Sequence, residues 1–219
     1  MNSEIAICNR ALYNIGVSRR IASLTEQSQE ARICNAFYAA ARDELLTEHP
    51  WNFSRKISAL PLSTEDVFDG LEQLEEFKPV DAMGSFRVSP KLFAYRYPEK
   101  CLNIVRLFSP LCPVFEGHYK TRRSAAGGKI IIAALPEAWC EYTYHVTDPL
   151  EFPPPFAEAL SWKLATKICL SLKGDSTGLR DNIMQYFGDA FSRAVMLDAN
   201  ENMNREHPEK FSEYIWCRS

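Results

Sequence analysis

The stretch EHPWNFSRK, residues 48–56, decides the fold because the hydrophobic period of the chain changes there. The apolar residues before it recur at intervals of three and four, as on the buried face of a helix. They are Ala31, Cys34, Tyr38, Ala41 and Leu45. Pro50 ends this helix because it disfavours helical geometry in the residue before it and has no backbone N–H to donate. A segment of different structure is therefore expected to begin directly after it.

Three more segments carry helical patterns. Gly16 is placed to follow the first helix in a left-handed conformation, and Ser28 is placed to cap the second. The third pattern is apolar over most of its circumference, which predicts a central helix contacted on several sides. The predicted helices span residues 3–15, 28–49, 156–172 and 179–197.

The middle of the chain has the features of β-structure. Residues 140–146 alternate apolar and polar side chains with a period of two, and residues 102–108 and 129–133 are β-branched or apolar runs. A further strand is predicted at 114–120, with 121–128 as a hairpin or loop tip between it and the strand at 129–133. The acidic segment 65–76 is predicted to contain a short helix with Leu71, Leu74 and Phe77 inward.

These patterns predict an α+β fold that is mainly α-helical. Residues 1–50 and 150–199 supply a helical bundle, and residues 51–149 form a β-rich insertion between its two halves. Residues 200–219 begin polar and charged and end in aromatic side chains, so they are expected to form an extended tail.

Composition excludes several classes of function. The 219 residues carry a net charge of -3, whereas a protein that grips nucleic acid usually has a basic excess. The start MNSEIAICNR has no basic region followed by an apolar run, so we expect no signal peptide and synthesis in a cytoplasm. No apolar run is long enough to cross a membrane. The spacing of the seven cysteines and four histidines predicts no disulfide framework, metal site or cofactor.

One segment matches the sequence of a catalytic motif. Residues 174–178, GDSTG, match the Gly-x-Ser-x-Gly elbow of hydrolases, with Ser176 as the nucleophile. That elbow needs a strand before the serine, whereas a predicted helix precedes it here. We therefore expect a helix–helix connector, with Gly174 ending one helix, and no catalytic residue.

Two groups of residues are candidates for contacts with other molecules. A local basic cluster, which has a solvated hairpin tip as its alternative, can contact phosphate or an acidic partner. Three aromatic residues are expected in the core or in subunit contacts, and Trp51 is expected to pin the second helix to the insertion. The basic residues are Lys120, Arg122, Arg123 and Lys129, and the aromatic residues are Trp51, Phe53 and Trp162.

The end of the chain carries a third group, an apolar cluster at a terminus where such residues are a liability unless they dock. It can dock on its own bundle or in a pocket of another subunit, where Tyr and Trp are favoured. Its members are Phe211, Tyr214, Ile215 and Trp216.

Three segments together resemble the podoviral tail tubular protein A family, the head-to-tail adaptors of short-tailed phages. The first is ICNRALYNIGV followed by residues 21–56, in which Glu30-Ala31 precedes Pro50-Trp51. The second is FAYRYPEKCLNIVRLF, residues 93–108, and the third is YTYHVTDPLEFPPPFAEALSWKLATKICLSL, residues 142–172. Their order and spacing carry the resemblance, which covers about four-fifths of the chain.

The resemblance implies a structural virion protein and no enzyme. Such adaptors form a ring of twelve copies beneath the portal protein, at the junction of head and tail. The ring extends the DNA channel without binding DNA specifically, contacts no membrane and holds the tail nozzle or tail fibre proteins. The C-terminal segment reaches towards the portal. The alternatives are a head-completion connector of another phage type, a serine hydrolase using Ser176, and an unrelated protein–protein interaction module.

Overall fold

In the computed structural model, residues 2–63, 92–124, 127–174 and 177–203 are described, and within them the α+β, mainly α prediction is confirmed. The chain divides into two units. The helical unit comprises Met1–Arg55 and His145–Ser219, and the β-rich unit comprises Lys56–Tyr144. The β-rich unit is therefore shorter at both ends than the predicted insertion 51–149.

Four helices of the helical unit form where the sequence pattern places them. The hydroxyl of Ser3 accepts from the N–H of Ala6, and that of Ser28 accepts from the N–H of Ala31, so both N-termini are capped by side chains. Gly16 follows the first helix with a φ of 73°, in the left-handed region that favours glycine. The helices are α1 Glu4–Asn14, α2 Gln29–Glu48, α3 Pro154–Lys173 and α4 Thr177–Met203.

Helix α3 is the centre of the helical unit, because it packs against α1, α2 and α4. Its apolar side chains are buried on several sides, as its nearly continuous apolar pattern predicts. They include Phe156, Leu160, Leu164 and Ile168, each no more than 1% exposed.

Helix α4 extends farther than predicted. It continues to Met203, so residues 200–203 are helical although they fall in the predicted extended tail. Helical spacing simply continues through these polar residues, which lack a helix-breaking proline until Pro208. The rest of the predicted tail lies outside the described residues.

The β-rich unit contains two antiparallel sheets. One has the strand order β1-β7-β3-β4 and the other β2-β6-β5. The strands are β1 Arg55–Ala59, β2 Phe93–Arg96, β3 Cys101–Ser109, β4 Cys112–Glu116, β5 Tyr119–Arg123, β6 Lys129–Ala133 and β7 Trp139–Tyr144. The first residue of β1, Arg55, still belongs to the helical unit. The acidic segment 65–76 lies outside the described residues.

One predicted strand is wrong. Residues 114–120 do not form a single strand, because β4 and β5 are separate and belong to different sheets. The N–H of Gly117, between them, donates to the carbonyl of Leu107. The hairpin predicted at 121–128 is present, because β5 and β6 pair with each other, but residues 121–123 belong to β5 and not to the loop. The N–H of Ser124 donates to the carbonyl of Gly128.

The two sheets are joined by the chain that continues from β1. The N–H of Leu60 donates to the carbonyl of Ala138, directly before β7. A few residues later, Leu62 forms an antiparallel bridge with Tyr95 of β2. A single extended segment therefore leaves the first sheet and enters the second, with a shared core around Leu107, Ile131 and Cys140.

Candidate functional site

Trp51 is buried in an aromatic cluster of the helical unit. Pro50 ends α2, and the indole of Trp51 turns back so that its Nε1 donates to the carbonyl of Leu45 at 2.9 Å. Its ring lies edge-on to Phe156, with 5.1 Å between ring centroids, and 6.0 Å from the ring of Phe191. The side chain is 1% exposed, so it fills the core of this unit. These partners do not test the predicted pinning of the β-rich unit.

The other two candidate aromatic residues also have partners in the helical unit. Phe53 is half-buried, and its ring centroid lies 4.9 Å from that of Phe156. Trp162 on α3 stacks on Tyr186 of α4 at 5.0 Å. Tyr186 is 55% exposed, so the stacked pair reaches the surface of this unit. Of the three candidate aromatic residues, Trp162 is therefore the one available for a subunit contact.

The buried carboxylate of Asp198 on α4 forms hydrogen bonds with the segment that follows α2. Asp198 is 9% exposed and accepts from the backbone N–H of Asn52 at 3.0 Å. His49 Nε2 lies 3.2 Å from its other oxygen, and the Asn52 side chain donates to its carbonyl. Asp198 was not among the predicted site residues, because an aspartate late in a helix is usually solvated. Asp198 follows the buried Ala194 by about one helical turn, and this spacing predicts that it lies on the same buried face.

A second charged group surrounds Arg42, which is 7% exposed. Its Nε donates to Asp43 at 2.8 Å, and its Nη2 lies 3.0 Å from Nε2 of His145. The same Nε2 lies 2.9 Å from Asp43. An unprotonated Nε2 accepts from Arg42, whereas a protonated one donates to Asp43, so the histidine can satisfy only one of them at a time. The carboxylate of Asp43 therefore neutralises the charge of the buried Arg42 guanidinium group.

The predicted basic cluster is divided by the strand geometry. In the hairpin of β5 and β6, Arg123 is paired with Lys129, and Arg122 with Ile130. Because neighbouring residues of a strand point to opposite faces, Lys120 and Arg122 share one face while Arg123 and Lys129 share the other. Lys129 lies over the ring of Tyr97, with its Nζ 5.3 Å from the centroid. The four cations therefore do not lie on one face.

The GDSTG motif lies between two helices. Helix α3 runs up to it, and the N–H of Gly174, which has a φ of 72°, donates to the carbonyl of Leu170. Helix α4 begins at Thr177, and Ser176 itself lies outside the described residues. The strand that must precede a nucleophile elbow is replaced by a helix.

Five cysteines are free thiols: Cys8, Cys34, Cys101, Cys140 and Cys169. Cys8 of α1 and Cys34 of α2 are buried against each other, and their hydrogen bond raises the pKa of Cys8 and lowers that of Cys34. Within the part of the chain that the structure describes, no three His, Cys, Asp or Glu side chains are grouped to hold a metal ion. No described helix has the length and apolar character needed to span a bilayer.

The predicted partner-binding residues Phe211, Tyr214, Ile215 and Trp216 lie outside the described residues. Comparison of the sequence with protein-family models and with curated proteins found no match.

Proposed function

We propose that this chain is a structural phage virion protein, a head-to-tail adaptor whose ring lies under the portal, extends the DNA channel and attaches the tail. The observation that carries the proposal is the ordered resemblance of three segments to the tail tubular protein A family. Those segments contain the main points at which the chain passes from one element of secondary structure to another. They include the capped start of α2 at Ser28, its end at Pro50-Trp51, strands β2 and β3, and the passage from β7 into α3.

The architecture supports the proposal. In such adaptors the helical part packs against neighbouring copies around the ring, and the helical unit of this chain, formed by segments before and after the β-rich unit, can supply that part. A net charge of -3 also suits a protein past which DNA slides, because an acidic surface repels phosphate and does not hold it.

The outer face of α4 offers a surface for contacts between copies. Tyr186 and Leu197 are 55% and 41% exposed, and their separation matches whole helical turns, so they share one face. Exposed apolar side chains on one helix face are typical of protein–protein contact sites. We assign this face to a contact between neighbouring copies.

Negative-stain electron microscopy of the full chain, alone and mixed with the portal protein of the same phage, tests the proposed function. We expect rings with an open centre, in the free chain or on the portal. Isolated small particles in both samples would refute the proposal.

The variant Leu197→Glu tests the assigned face, because a carboxylate in an apolar contact loses its hydration without gaining a partner. We expect a folded chain that no longer forms rings. The matched control is Leu111→Glu, which places the same charge on an 87% exposed leucine of the β-rich unit and should leave rings intact. Rings of normal size from Leu197→Glu would remove α4 from the contact.

A further inference from the structure

An open cleft of about 500 Å³ lies in the β-rich unit, where the chain passes from one sheet to the other. The end of β1, the turn between β2 and β3, and the end of β7 form its walls. Because the segment after β1 pairs with β2 through Leu62 and Tyr95, residues far apart in the sequence meet here. The polar and aromatic side chains at the cleft include Lys56, Arg96, Tyr97, Glu99, Lys100 and Tyr144.

The cleft concentrates positive charge. Lys56, Arg96 and Lys100 are all exposed side chains of its lining, and Glu99 is the carboxylate beside them. Nζ of Lys56 lies 4.9 Å from the ring centroid of Tyr144, and Nζ of Lys100 lies 5.8 Å from the same centroid. The ring attracts each ammonium group, but the two ammonium groups repel each other. An anion bound in the cleft would be attracted by both ammonium groups.

These cations have no carboxylate partner among the described residues, in contrast to two cations elsewhere in the chain. Lys163 pairs with Glu48, and Arg106 pairs with Glu141. Within the described ranges, no ion pair involves Lys56, Arg96 or Lys100. The local excess of positive charge also opposes the net charge of -3 of the whole chain.

The backbone at Lys100 is an independent sign that this arrangement is maintained. Lys100 has a φ of 53°, in the left-handed region that residues other than glycine seldom adopt. Such strain persists where the surrounding structure requires it, often at binding sites. Here it occurs in the turn that carries the Lys100 ammonium group to the Tyr144 ring.

We infer that this cleft binds a small molecule carrying two or more phosphate groups. Its volume lies in the range of about 300–1,000 Å³ that is typical of small-ligand sites. A polyphosphate carries enough negative charge to match several cations, whereas a single carboxylate would leave most of them unmatched. The fork of Arg96 suits phosphate oxygens, and the two lysines supply point charges. Inorganic polyphosphate and a nucleotide share this chemistry.

Isothermal titration calorimetry on the full chain at low salt tests the inference. The probes are inorganic tripolyphosphate, a nucleoside triphosphate without divalent cation, and citrate as a multivalent carboxylate. We expect one tripolyphosphate per chain, bound more tightly than citrate. Tighter binding of the nucleotide than of tripolyphosphate would identify a nucleotide site, and equal binding a polyphosphate site. No binding of either, or citrate bound as tightly as tripolyphosphate, would overturn the inference.

Substitutions locate the anion. Lys56→Gln and Arg96→Gln should each weaken tripolyphosphate binding roughly tenfold, the loss expected for one charge-assisted hydrogen bond. Arg123→Gln is the matched control, because it removes an exposed cation of the same unit outside the cleft. A loss of affinity in Arg123→Gln without a loss in Lys56→Gln would place the anion on the hairpin and refute the cleft site.

Lys100→Gly separates binding from folding. Glycine adopts a positive φ without strain, so this variant should be at least as stable as the parent chain while it binds tripolyphosphate more weakly. Unchanged affinity in a folded Lys100→Gly chain would show that the strained lysine does not contact the anion. This site does not depend on the adaptor role, and either proposal can fail without the other.

Discussion

Two cations of α3 in the helical unit and the cations of the cleft in the β-rich unit differ in their partners. Lys163 and Lys167 have acidic partners on α2, since Lys163 pairs with Glu48 and Lys167 pairs with Glu44. In the β-rich unit, the cations of the cleft, Lys56 and Lys100, lie over an aromatic ring without a carboxylate partner among the described residues. The difference shows that paired charge serves cohesion between helices, whereas unpaired charge in a concave surface is available to a ligand.

The cores of the two units are built from different side chains, but both contain titratable groups. The helical unit packs aromatic rings edge to face around Trp51, whose indole N–H is satisfied by a helix carbonyl. The β-rich unit buries Tyr95 and Cys140, and the helical unit likewise buries titratable side chains such as Cys8 and Tyr38. Burial disfavours the ionised form of such groups unless a partner stabilises it. The stability of both cores should therefore depend on individual hydrogen bonds and on pH.

The largest effect is expected from Trp51→Ala, which should destabilise the helical unit by about 3–5 kcal/mol. The substitution removes a fully buried ring and leaves a cavity between Phe156 and Phe191. Hydrogen exchange resolved by segment measures the loss in each unit separately. Tyr13→Ala is the control, since Tyr13 is 79% exposed on α1. Unchanged stability together with unchanged ring formation would remove Trp51 from both its core role and its predicted pinning role.

In the β-rich unit, Tyr95→Phe tests the dependence on a single hydrogen bond. The hydroxyl of Tyr95 donates to the carbonyl of Leu135, and the residue is 1% exposed. We expect a loss of about 1–3 kcal/mol, because the carbonyl keeps its burial penalty without its donor. Hydrogen exchange that is faster than in the parent chain in the β-rich unit, but unchanged in the helical unit, would assign the loss of stability to the β-rich unit. A loss below the error of the measurement would contradict a hydrogen-bonded core.

The helix ends were predictable because their signals are local. The hydroxyls of Ser3 and Ser28, the missing N–H of Pro50 and the conformational freedom of Gly174 act on the turn beside each residue, so a short window contains the whole cause. The apolar stripe of α3 likewise contains its own prediction of a central position. By contrast, the end of α4 was misplaced because polar composition by itself does not stop a helix.

The sheets and the cleft were not predictable to the same degree, because their causes are non-local. No local sequence signal near Gly117 predicts that β4 and β5 belong to different sheets. Lys56, Arg96 and Lys100 meet only because the chain crosses between the sheets after β1. Cations that are neighbours in sequence were predicted as one cluster, yet the alternation of side chains along β5 separates Arg122 from Arg123.

Alkaline pH should weaken the core of the β-rich unit. Burial raises the pKa of Cys140 from its ordinary value of 9.0 to about 12, helped by the nearby Cys101. Because the folded state holds the thiol proton more tightly, this stability is fully present below pH 9 and is lost as the pH rises towards 12. Cys140→Ala should therefore reduce the decline of stability between pH 9 and 10 by up to about 1.4 kcal/mol per pH unit.

The free energy of unfolding in urea, measured by circular dichroism from pH 7 to pH 10, checks this slope. Leu107→Ala is the control, because it removes a buried side chain of the same core without a titrating group and should lower stability equally at every pH. A pH slope in Cys140→Ala that equals that of the parent chain would show that Cys140 does not titrate with folding.

The smallest effects test the difference in charge pairing directly. The ammonium group of Lys167 donates to Glu44 at 2.7 Å, and this contact lowers the pKa of that carboxyl group. Lys167→Gln should cost at most about 0.5 kcal/mol, because Glu44 is largely exposed to solvent. Since the carboxyl pKa is lowered, the cost should be present at neutral pH and vanish as the pH falls below its ordinary range.

The same substitution at Lys56 should behave in the opposite way. Removing an unpaired ammonium group relieves its repulsion with Lys100, and it forfeits only one contact with the Tyr144 ring. We therefore expect Lys56→Gln to leave the stability of the ligand-free chain unchanged or slightly higher in low salt. Added salt should remove the difference, because it screens exposed charges. If Lys56→Gln costs as much as Lys167→Gln, the cleft cations contribute to cohesion, and the contrast between the two units is wrong.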